Sequence, residues 1–439
     1  MKLHIHPSPF HLTYCTNIHA ADGWEGVYAN LRKYGPLLKA RFAPAAPFGV
    51  GLRLSAREAR ELLEGDRLRE FRGFLDREGL YVAIINGFPY GPFHGTPVKA
   101  NVYAPDWRDD ARVDYTLDLI RILQALVPTG VDGGVSTAPL SYKAWMAGAG
   151  AGAWEAMTRS VVRVAEELVR IQREDGTLIH LDIEPEPDCV LENTEETVAF
   201  FEQWLFPVGG PLLATTIGVS PDEARRYLQD HIRLCFDCCH FAVEYEDPAA
   251  ALERLQSAGI RIGRVQLSSA LHVDFPGDAT KAAEMASRLR PFADTTYLHQ
   301  VVARQAEGLR HYSDLDVALA HTQAASPAEW RIHFHVPLFA CEYDAFGSTQ
   351  DYVQKVLALA LQTPFTTHLE IETYTWDVLP PGLKMDLGES IAREYEWVLQ
   401  AIAGTSLSGS SASDTMSVDI SSTRARSSES SSIRTRSSK

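Results

Sequence analysis

Two short stretches of the chain, residues 179–184 and 368–373, alternate polar with apolar side chains and bring an acidic residue to their end. With a period of two, the polar residues of each stretch lie on one face of a strand and the apolar residues on the other. Prolines at 185 and 187 end the first strand directly after Glu184, because proline cannot donate to a sheet. We therefore expect two strands to deliver Glu184 and Glu372 to one common centre.

Other polar side chains follow the remaining predicted strands, and active sites of α/β barrels form at the carboxyl ends of strands. The residues expected to contact a substrate there are Asn17, Asn86, His94, Lys143, Glu186, His335 and Trp376. The residues expected to bind a metal ion are Glu184, Asp237, Gln266 and Glu372. Such an oxygen-rich shell suits Mn²⁺ or Mg²⁺, with Co²⁺ or Zn²⁺ as alternatives if a histidine joins it.

Three side chains are candidates for catalysis: Glu184, Glu372 and His240. In a metal-dependent isomerase or epimerase, the ion acts as a Lewis acid on adjacent substrate oxygens. The two glutamates then exchange a proton at the substrate carbon as general base and general acid.

Each of these interpretations has a simpler alternative. The two glutamates can be ion-pair partners at strand ends, and Asp237 can cap a helix beside an incidental His240. His333 and His335 share one face of a strand, and either reach the site or belong to the core. A zinc site at Cys235 and Cys238 is disfavoured, because residues three apart on a strand point to opposite faces and no second cysteine pair accompanies them.

The elements that must position these residues alternate along the chain. The predicted strands are residues 12–19, 48–54, 81–86, 134–140, 178–184, 232–237, 264–268 and 368–373. The predicted helices are residues 24–38, 56–75 (capped by Ser55), 111–126, 153–173, 349–361 and 390–402. Eight such units predict an α/β fold with a closed (β/α)8 TIM barrel.

The barrel is expected to occupy residues 1–403, with an insertion after strand seven at 272–330 lying over the barrel mouth. Residues 331–346 are then the return to the helix at 349–361, although a ninth strand or a small subdomain stays open. The segment 404–439 is rich in serine and is expected to be disordered, because it can bury almost no apolar surface.

The bulk composition restricts the class of partner. The 439-residue chain carries a formal net charge of −16, which disfavours nucleic acid because such partners need a concentrated basic face. No run reaches the roughly 18 apolar residues of a transmembrane segment, and the amino terminus lacks an apolar signal core. Six cysteines, two of them adjacent at 238 and 239, favour a reduced, cytoplasmic setting over a disulfide framework.

The turn after the first glutamate resembles that of a known family. Residues 183–187 read Ile-Glu-Pro-Glu-Pro and are similar to the Glu-Pro-Lys-Pro turn of xylose isomerases, in which the glutamate is a metal ligand. Asp237-x-x-His240 resembles the acid-x-x-His that ends strand six in xylose isomerase-like barrels, and Glu372 matches the glutamate that ends their eighth strand. The resemblance implies a xylose isomerase-like, sugar phosphate isomerase/epimerase type of TIM barrel that binds a divalent metal.

Two positions depart from that pattern. Glu186 stands where xylose isomerases have a lysine that polarises the sugar, which weakens the hydride-shift interpretation. Gln266 stands where the related barrels often have a metal-binding histidine, which lowers the expected basicity of the ligand set.

Four longer motifs are similar to a narrower family, metabolite traffic protein EboE, and this likeness covers about residues 1–403. The motifs are residues 86–91, 265–271, 333–337 and 370–376. The resemblance implies a role in processing or exporting secondary-metabolite precursors, with a sugar-like or an aromatic or prenylated metabolite as ligand. It also raises association with other proteins of the ebo export cluster, while a homodimer stays open.

Two other functions remain in view. A carrier that keeps the pocket without turnover is favoured by the missing lysine, by Gln266, and by aromatic residues near the mouth that could stack on a ligand. A phosphodiesterase or DNA-repair nuclease on the same barrel would need a histidine-rich zinc cluster and a basic groove, and the acidic composition opposes it.

Overall fold

Strands and helices alternate through most of the chain. The computed structural model describes residues 1–3, 5, 9–94, 98–293, 296–321, 328–343, 345–375 and 386–408, with only the backbone of 406–408. The predicted substrate contact Trp376 and most of the predicted tail, from residue 409 onward, lie outside the described residues.

The strands of the described residues fall into two sheets. They are β1 (Lys2–Leu3), β2 (Phe10–Tyr14), β3 (Phe48–Arg53), β4 (Leu80–Asn86), β5 (Gly133–Thr137), β6 (Ile179–Ile183), β7 (Ile232–Asp237), β8 (Ile262–Leu267), β9 (Ser269–Phe275), β10 (Val301–Gln305), β11 (Gly308–Tyr312), β12 (Ala328–Val336), β13 (Glu342–Tyr343), β14 (Phe346–Ser348) and β15 (His368–Ile371).

Helices lie between most of the strands of the first sheet. They are α1 (Gly23–Phe42), α2 (Ala56–Leu63), α3 (Arg67–Glu78), α4 (Asp110–Leu126), α5 (Ala151–Asp175), α6 (Thr194–Phe200), α7 (Gly210–Ile217), α8 (Pro221–His231), α9 (Cys238–Val243), α10 (Pro248–Ser257), α11 (Ala279–Leu289), α12 (Leu315–Ala320), α13 (Gln350–Gln362) and α14 (Leu387–Ser408). Ser55 caps α2 as predicted, since its side chain accepts from the Glu58 amide. The predicted helix at 56–75 is broken in two at Gly65, which has a φ of +59°.

The first sheet confirms the predicted barrel. Eight parallel strands follow the order β2-β15-β8-β7-β6-β5-β4-β3, with β1 antiparallel on the outer side of β2. The end strands β2 and β3 meet through a parallel bridge between Cys15 and Gly51, and the Arg53 amide donates to Thr16 Oγ1 at 2.8 Å. The eight strands thus form a nearly closed ring, whose carboxyl ends share one rim.

A buried ion-pair network holds the barrel interior around Arg264. Its Nε lies 3.0 Å from Asp182 Oδ2 and its Nη1 lies 3.3 Å from Glu370 Oε2, and all three side chains are fully buried. Gly263 leaves room for this arrangement, because a Cβ there would lie 1.9 Å from Asp182 Oδ1. The polar faces of β6 and β15 therefore point into the barrel. Below the mouth, the Arg264 guanidinium group contacts a carboxylate from each of these strands.

Between the last two barrel strands the chain forms a second sheet with the order β11-β10-β12-β9-β14-β13. It has its own apolar core, which includes Leu271, Ile332 and Phe334. This unit, hereafter the insertion sheet, extends on both sides of the predicted 272–330 segment, because residues 331–336 pair with β9 as part of β12. They are a strand of this sheet rather than a simple return to the barrel.

An irregularity in β12 places two histidines outside the regular ladder. Ile332 pairs with Leu271 and Val336 pairs with Ser269, so residues 333–335 lie opposite Ala270 alone. Extra residues of this kind bend a strand and redirect its side chains, often beside functional sites. His333 and His335 are delivered to the barrel mouth by this bulge.

None of the helices in the described ranges combines the length and the apolarity that crossing a bilayer requires.

Replacing Arg264 with methionine removes the counter-ion of two buried carboxylates. We expect the free energy of unfolding to fall by about 3–5 kcal/mol, as when one partner of a buried ion pair is lost. Lys355→Met is the control, since Lys355 pairs with Asp351 on the surface at 60% exposure, where a pair contributes little. Urea unfolding followed by circular dichroism measures both variants, and equal losses would contradict the role given to Arg264.

Glu394 on α14 ties together two segments near the mouth, and its titration affects stability. Its carboxylate accepts from the Leu338 amide at 3.0 Å and from Thr373 Oγ1 at 3.1 Å. Burial raises the pKa of Glu394 to about 8, from an ordinary value of 4.5. Between these values the folded chain keeps a proton that the unfolded chain releases, so this group's contribution to stability falls as pH rises.

Glu394→Gln removes that titration. We expect the free energy of unfolding of the variant, relative to wild type, to increase as pH rises from 5 to 8. Denaturant titrations at several pH values measure this difference, and a difference that does not change with pH would contradict the burial effect.

Candidate functional site

Three carboxylates from three barrel strands meet at the rim. Glu184 follows β6, Asp237 ends β7 and Glu372 follows β15, and all three are buried. Burial, and then the charges of Asp237 and Glu186, raise the pKa of Glu184 well above its ordinary range. Burial, and then the charges of Glu184 and Asp237, do the same to the pKa of Glu372. At the mouth, burial and the neighbouring carboxylates thus disfavour the charged forms of both glutamates.

In Glu372 and in Asp237, one of the two carboxylate oxygens is held by hydrogen bonds. Glu372 Oε1 accepts from Asn17 Nδ2 at 2.8 Å and from Asn86 Nδ2 at 3.0 Å. Asp237 Oδ1 accepts from the Cys239 amide at 2.8 Å and from Ser268 Oγ at 2.7 Å. Asp237 also caps α9 through these amide contacts, so it is a helix cap and a site residue at once.

Other atoms of the same side chains are left without a hydrogen bond. Among the residues that the structure describes, the buried atoms at the mouth without a hydrogen-bond partner include Glu184 Oε2, Asp237 Oδ2, His240 Nε2 and Glu372 Oε2. Leaving such groups unsatisfied is costly in a protein interior. Three carboxyl oxygens and one imidazole nitrogen are the donors that a divalent cation takes up.

The state of His240 follows from its other nitrogen. Nδ1 lies 2.8 Å from the Pro185 carbonyl oxygen, which can only accept, so Nδ1 carries the proton. In the neutral ring Nε2 therefore presents a lone pair, 3.9 Å from Asp237 Oδ1. A backbone acceptor that fixes the tautomer in this way is typical of metal-binding histidines.

His333 and His335 face each other through their Nε2 atoms, 3.2 Å apart. His335 Nδ1 donates to the Glu372 carbonyl at 3.1 Å, and His333 Nδ1 donates to Gln300 Oε1 at 2.7 Å. The Gln300 amide nitrogen donates to the Pro187 carbonyl, which fixes Oε1 as the acceptor. Burial lowers the pKa of His335 to about 4 and that of His333 below its ordinary range. Two lone pairs consequently meet, a contact that a cation relieves.

The residues present therefore fit a divalent metal ion. Asp237, His240 and His335 offer ligand atoms that lie within 4.8 Å of one another. The unsatisfied oxygens of Glu184 and Glu372 add to this set. Because imidazoles join the carboxylates, the set suits Mn²⁺, Co²⁺ or Zn²⁺ better than Mg²⁺, which prefers oxygen ligands alone.

A cavity opens above these residues. Its polar wall is formed by Asn17, Asn86, Glu184, Glu186, His240, His333, His335 and Glu372. Its apolar wall includes Phe88, Phe93, Val102, Tyr297, Leu298 and Tyr374. Tyr374 stacks on the His335 ring at 4.6 Å between centroids, and Phe93 lies edge-on to Tyr374 at 5.1 Å. A small polar molecule with an apolar substituent matches the two walls.

Glu186 is a second kind of carboxylate in this cavity. It is buried, and Tyr103 Oη donates to its Oε1 at 2.9 Å. His333 Nδ1 lies 3.4 Å from the same oxygen. Burial raises the pKa of Glu186 to about 7. The side chain at this position is thus an acid with polar neighbours.

The structure brings most of the predicted site residues to the cavity and places three elsewhere. Gln266 pairs with Asp237 on one side and with Glu370 on the other, and its Oε1 accepts from Cys235 Sγ at 3.0 Å, so its side chain is engaged below the cavity lining. Lys143 points to Glu192 at 2.5 Å and to Glu196 at 3.0 Å. In place of the predicted metal ligand Gln266, His335 from the insertion sheet stands beside Asp237 and His240.

His94 supports the wall from behind. Its Nε2 lies 2.5 Å from the Asn17 carbonyl oxygen and its Nδ1 lies 3.1 Å from Tyr297 Oη. It joins the turn after β2 to the segment before β10, and it is not among the residues that line the cavity.

Sequence reasoning missed the contributions of Tyr103, Tyr297 and Gln300. These residues lie in connecting segments whose path the strand pattern does not predict. For His333 and His335, by contrast, the sequence does offer a signal, because the His-x-His spacing puts both imidazoles on one face of a strand.

No protein-family model matches the chain, and no curated protein matches its sequence. Among solved structures it is similar to a xylose isomerase-like TIM barrel protein from Mycobacterium smegmatis in complex with magnesium, with 12% identity over 90% of this chain and 97% of that one and a TM-score of 0.47. A D-tagatose 3-epimerase-like protein shows 10% identity over 91% of this chain and 100% of that one, with a TM-score of 0.46.

The IolI protein with a bound zinc atom shows 13% identity over 90% of this chain and 99% of that one, with a TM-score of 0.41. At these values an activity does not transfer from those proteins to this chain. The barrel is established by the strand order of its own sheet.

Asp237→Asn tests the fit to a cation. Adding Mn²⁺ to chelator-treated wild type is expected to raise the melting temperature, because an ion that binds the folded state stabilises it. The variant is expected to bind Mn²⁺ at least tenfold more weakly, since a charged ligand is lost. Glu174→Gln, which changes an exposed acid on α5, is the control and should bind like wild type. Equal binding by wild type and Asp237→Asn would contradict the assignment.

Proposed function

We propose that the chain is a divalent-metal-dependent isomerase or epimerase of a small sugar, polyol or related hydroxy-carbonyl compound. The observation that carries the proposal is the convergence of unsatisfied atoms from Glu184, Asp237, His240 and Glu372 beneath one cavity. A bound cation would supply Lewis acidity toward substrate oxygens. The chain's own side chains must then bind the substrate, orient it and move a proton.

Proton movement is assigned to the two rim glutamates. Glu184 and Glu372 both line the cavity, so each can meet the carbon next to a substrate carbonyl. Asn17 and Asn86 fix Glu372 Oε1 and thereby direct its second oxygen toward the His335 side of the cavity, where Oε2 lies 3.6 Å from His335 Nδ1. Removal of a proton by one carboxylate and its return by the other is the chemistry of an epimerase or an aldose–ketose isomerase.

His240 is assigned to the ion and to the substrate oxygen beside it. Its Nδ1 is engaged with Pro185, so the reacting atom is Nε2. Glu186, with Tyr103 behind it, is placed to bind a substrate hydroxyl.

The biological setting is proposed from the sequence motifs alone. The EboE-like motifs support a role in processing or exporting a secondary-metabolite precursor, together with other proteins of the ebo export cluster. All six cysteines lie within the described residues and are free thiols, which supports the proposed reduced, cytoplasmic setting.

A non-catalytic metabolite-binding protein is the second candidate. It is favoured by the apolar wall, in which Phe93, Tyr297 and Tyr374 form a cluster of rings that could hold an aromatic or prenylated ligand. The two candidates predict different behaviour toward the same ligand, because only the enzyme exchanges a substrate proton with solvent.

Deuterium exchange tests the proposal. The Mn²⁺-loaded chain is incubated in D₂O with a panel of aldoses, ketoses and aromatic hydroxy ketones, and ¹H NMR records loss of the signal at the carbon next to the carbonyl. For a substrate found in the panel, Glu184→Gln and Glu372→Gln are each expected to slow exchange by at least about 100-fold, as expected for loss of a general acid or base. Glu174→Gln, on the exposed surface, is the matched control.

A ligand that raises the melting temperature of wild type but shows no exchange would favour the carrier. Exchange that survives in both rim variants would contradict the roles given to the two glutamates.

A further inference from the structure

A second cluster of possible ligands lies where the barrel meets the insertion sheet. Glu192 belongs to the loop between β6 and α6, Glu244 follows α9, and His311 lies in β11. Glu192 and Glu244 are 7% and 6% exposed, whereas the His311 side chain is 37% exposed. The three residues come from three separate segments, and the cluster is open to solvent on the histidine side.

The donor atoms of this cluster lie close together. His311 Nδ1 lies 3.0 Å from Glu192 Oε1 and 3.8 Å from Glu244 Oε1. Tetrahedral Zn²⁺ with bonds of about 2.0–2.2 Å needs ligand atoms about 3.3 Å apart. The two distances bracket that value, and imidazole nitrogen and carboxylate oxygen are both zinc ligands.

The nearby lysine serves Glu192 and Glu196, whereas one oxygen of Glu244 is left without a hydrogen bond. Lys143 Nζ lies 2.5 Å from Glu192 Oε2 and 3.0 Å from Glu196 Oε1. Glu244 Oε1 has no hydrogen-bond partner within the described part of the chain, although its residue is more than nine-tenths buried. This oxygen points toward His311.

We propose that Glu192, Glu244 and His311 bind a second divalent cation of the Zn²⁺ type, distinct from the one proposed at the barrel mouth. This ion ties β11 of the insertion sheet to two loops of the barrel rim. The insertion sheet supplies His333 and His335 to the cavity, so the second ion sets how firmly that part of the site is held.

Zn²⁺ stoichiometry of the full chain tests this proposal. Chelator-treated protein is titrated with Zn²⁺ alone, passed through a desalting column and analysed for metal by mass spectrometry. Glu244→Gln and His311→Gln are each expected to lose one equivalent relative to wild type. Asp237→Asn is expected to lose a different equivalent, so that the Asp237→Asn, His311→Gln double variant loses two.

Two further measurements separate a bound ion from a simple network of ion pairs. Lys143→Met removes the cation that competes for Glu192 and is expected to bind Zn²⁺ more tightly than wild type. Hydrogen exchange of the β11 amides is expected to slow when Zn²⁺ is added to wild type but not when it is added to His311→Gln. His321→Gln, at the exposed residue that follows α12, is the control and should keep the wild-type stoichiometry.

The outcomes distinguish this site from the one at the mouth. If His311→Gln and Glu244→Gln keep the wild-type stoichiometry, the second site is overturned, whatever happens to Asp237→Asn. If only Asp237→Asn keeps the wild-type stoichiometry, the mouth assignment fails and the second site stands.

Discussion

Repulsion among three buried carboxylates at the barrel mouth is the constraint on which the rest of the structure depends. Glu184, Asp237 and Glu372 end strands that meet at one rim, so the fold itself forces their charges together. One layer below, Arg264 neutralises Asp182 and Glu370 with direct contacts. At the mouth the described residues provide asparagine and backbone donors for one oxygen of Glu372 and of Asp237, and leave the second oxygen unsatisfied. A dissociable cation is the simplest group that completes such a site.

The insertion sheet adapts this rim to a particular ligand. Its bulge at 333–335 brings two imidazoles beside the carboxylates, and Tyr297 and Leu298 add an apolar wall. The same unit contacts the barrel loops again through His311. Ligand binding, access to the cavity and the histidine part of the site are therefore physically linked through one segment of chain.

Much of this arrangement was predictable because it depends on local alternation. The period of two in 179–184 and 368–373 puts polar side chains on the interior face, and strand order then brings Glu184, Asp237 and Glu372 to one end. The height of Gln266 depends on register, which the alternation does not predict: it pairs with Asp237 on one strand and with Glu370, two residues before Glu372, on the other. The position of His335 depends on a bulge, and the direction of Lys143 depends on Glu192 in a loop and Glu196 in α6. Neither feature leaves a periodic signal in sequence.

The central claim is that the mouth of the barrel holds a metal ion between Glu184, Asp237 and Glu372. Anomalous diffraction from crystals of the full chain grown with Mn²⁺ measures this directly. The account predicts a strong anomalous peak within bonding distance of oxygens from these three residues, with His240 Nε2 or His335 at its side. A fully Mn²⁺-equilibrated crystal with no peak there, and with the three carboxylates paired to protein groups instead, would contradict it.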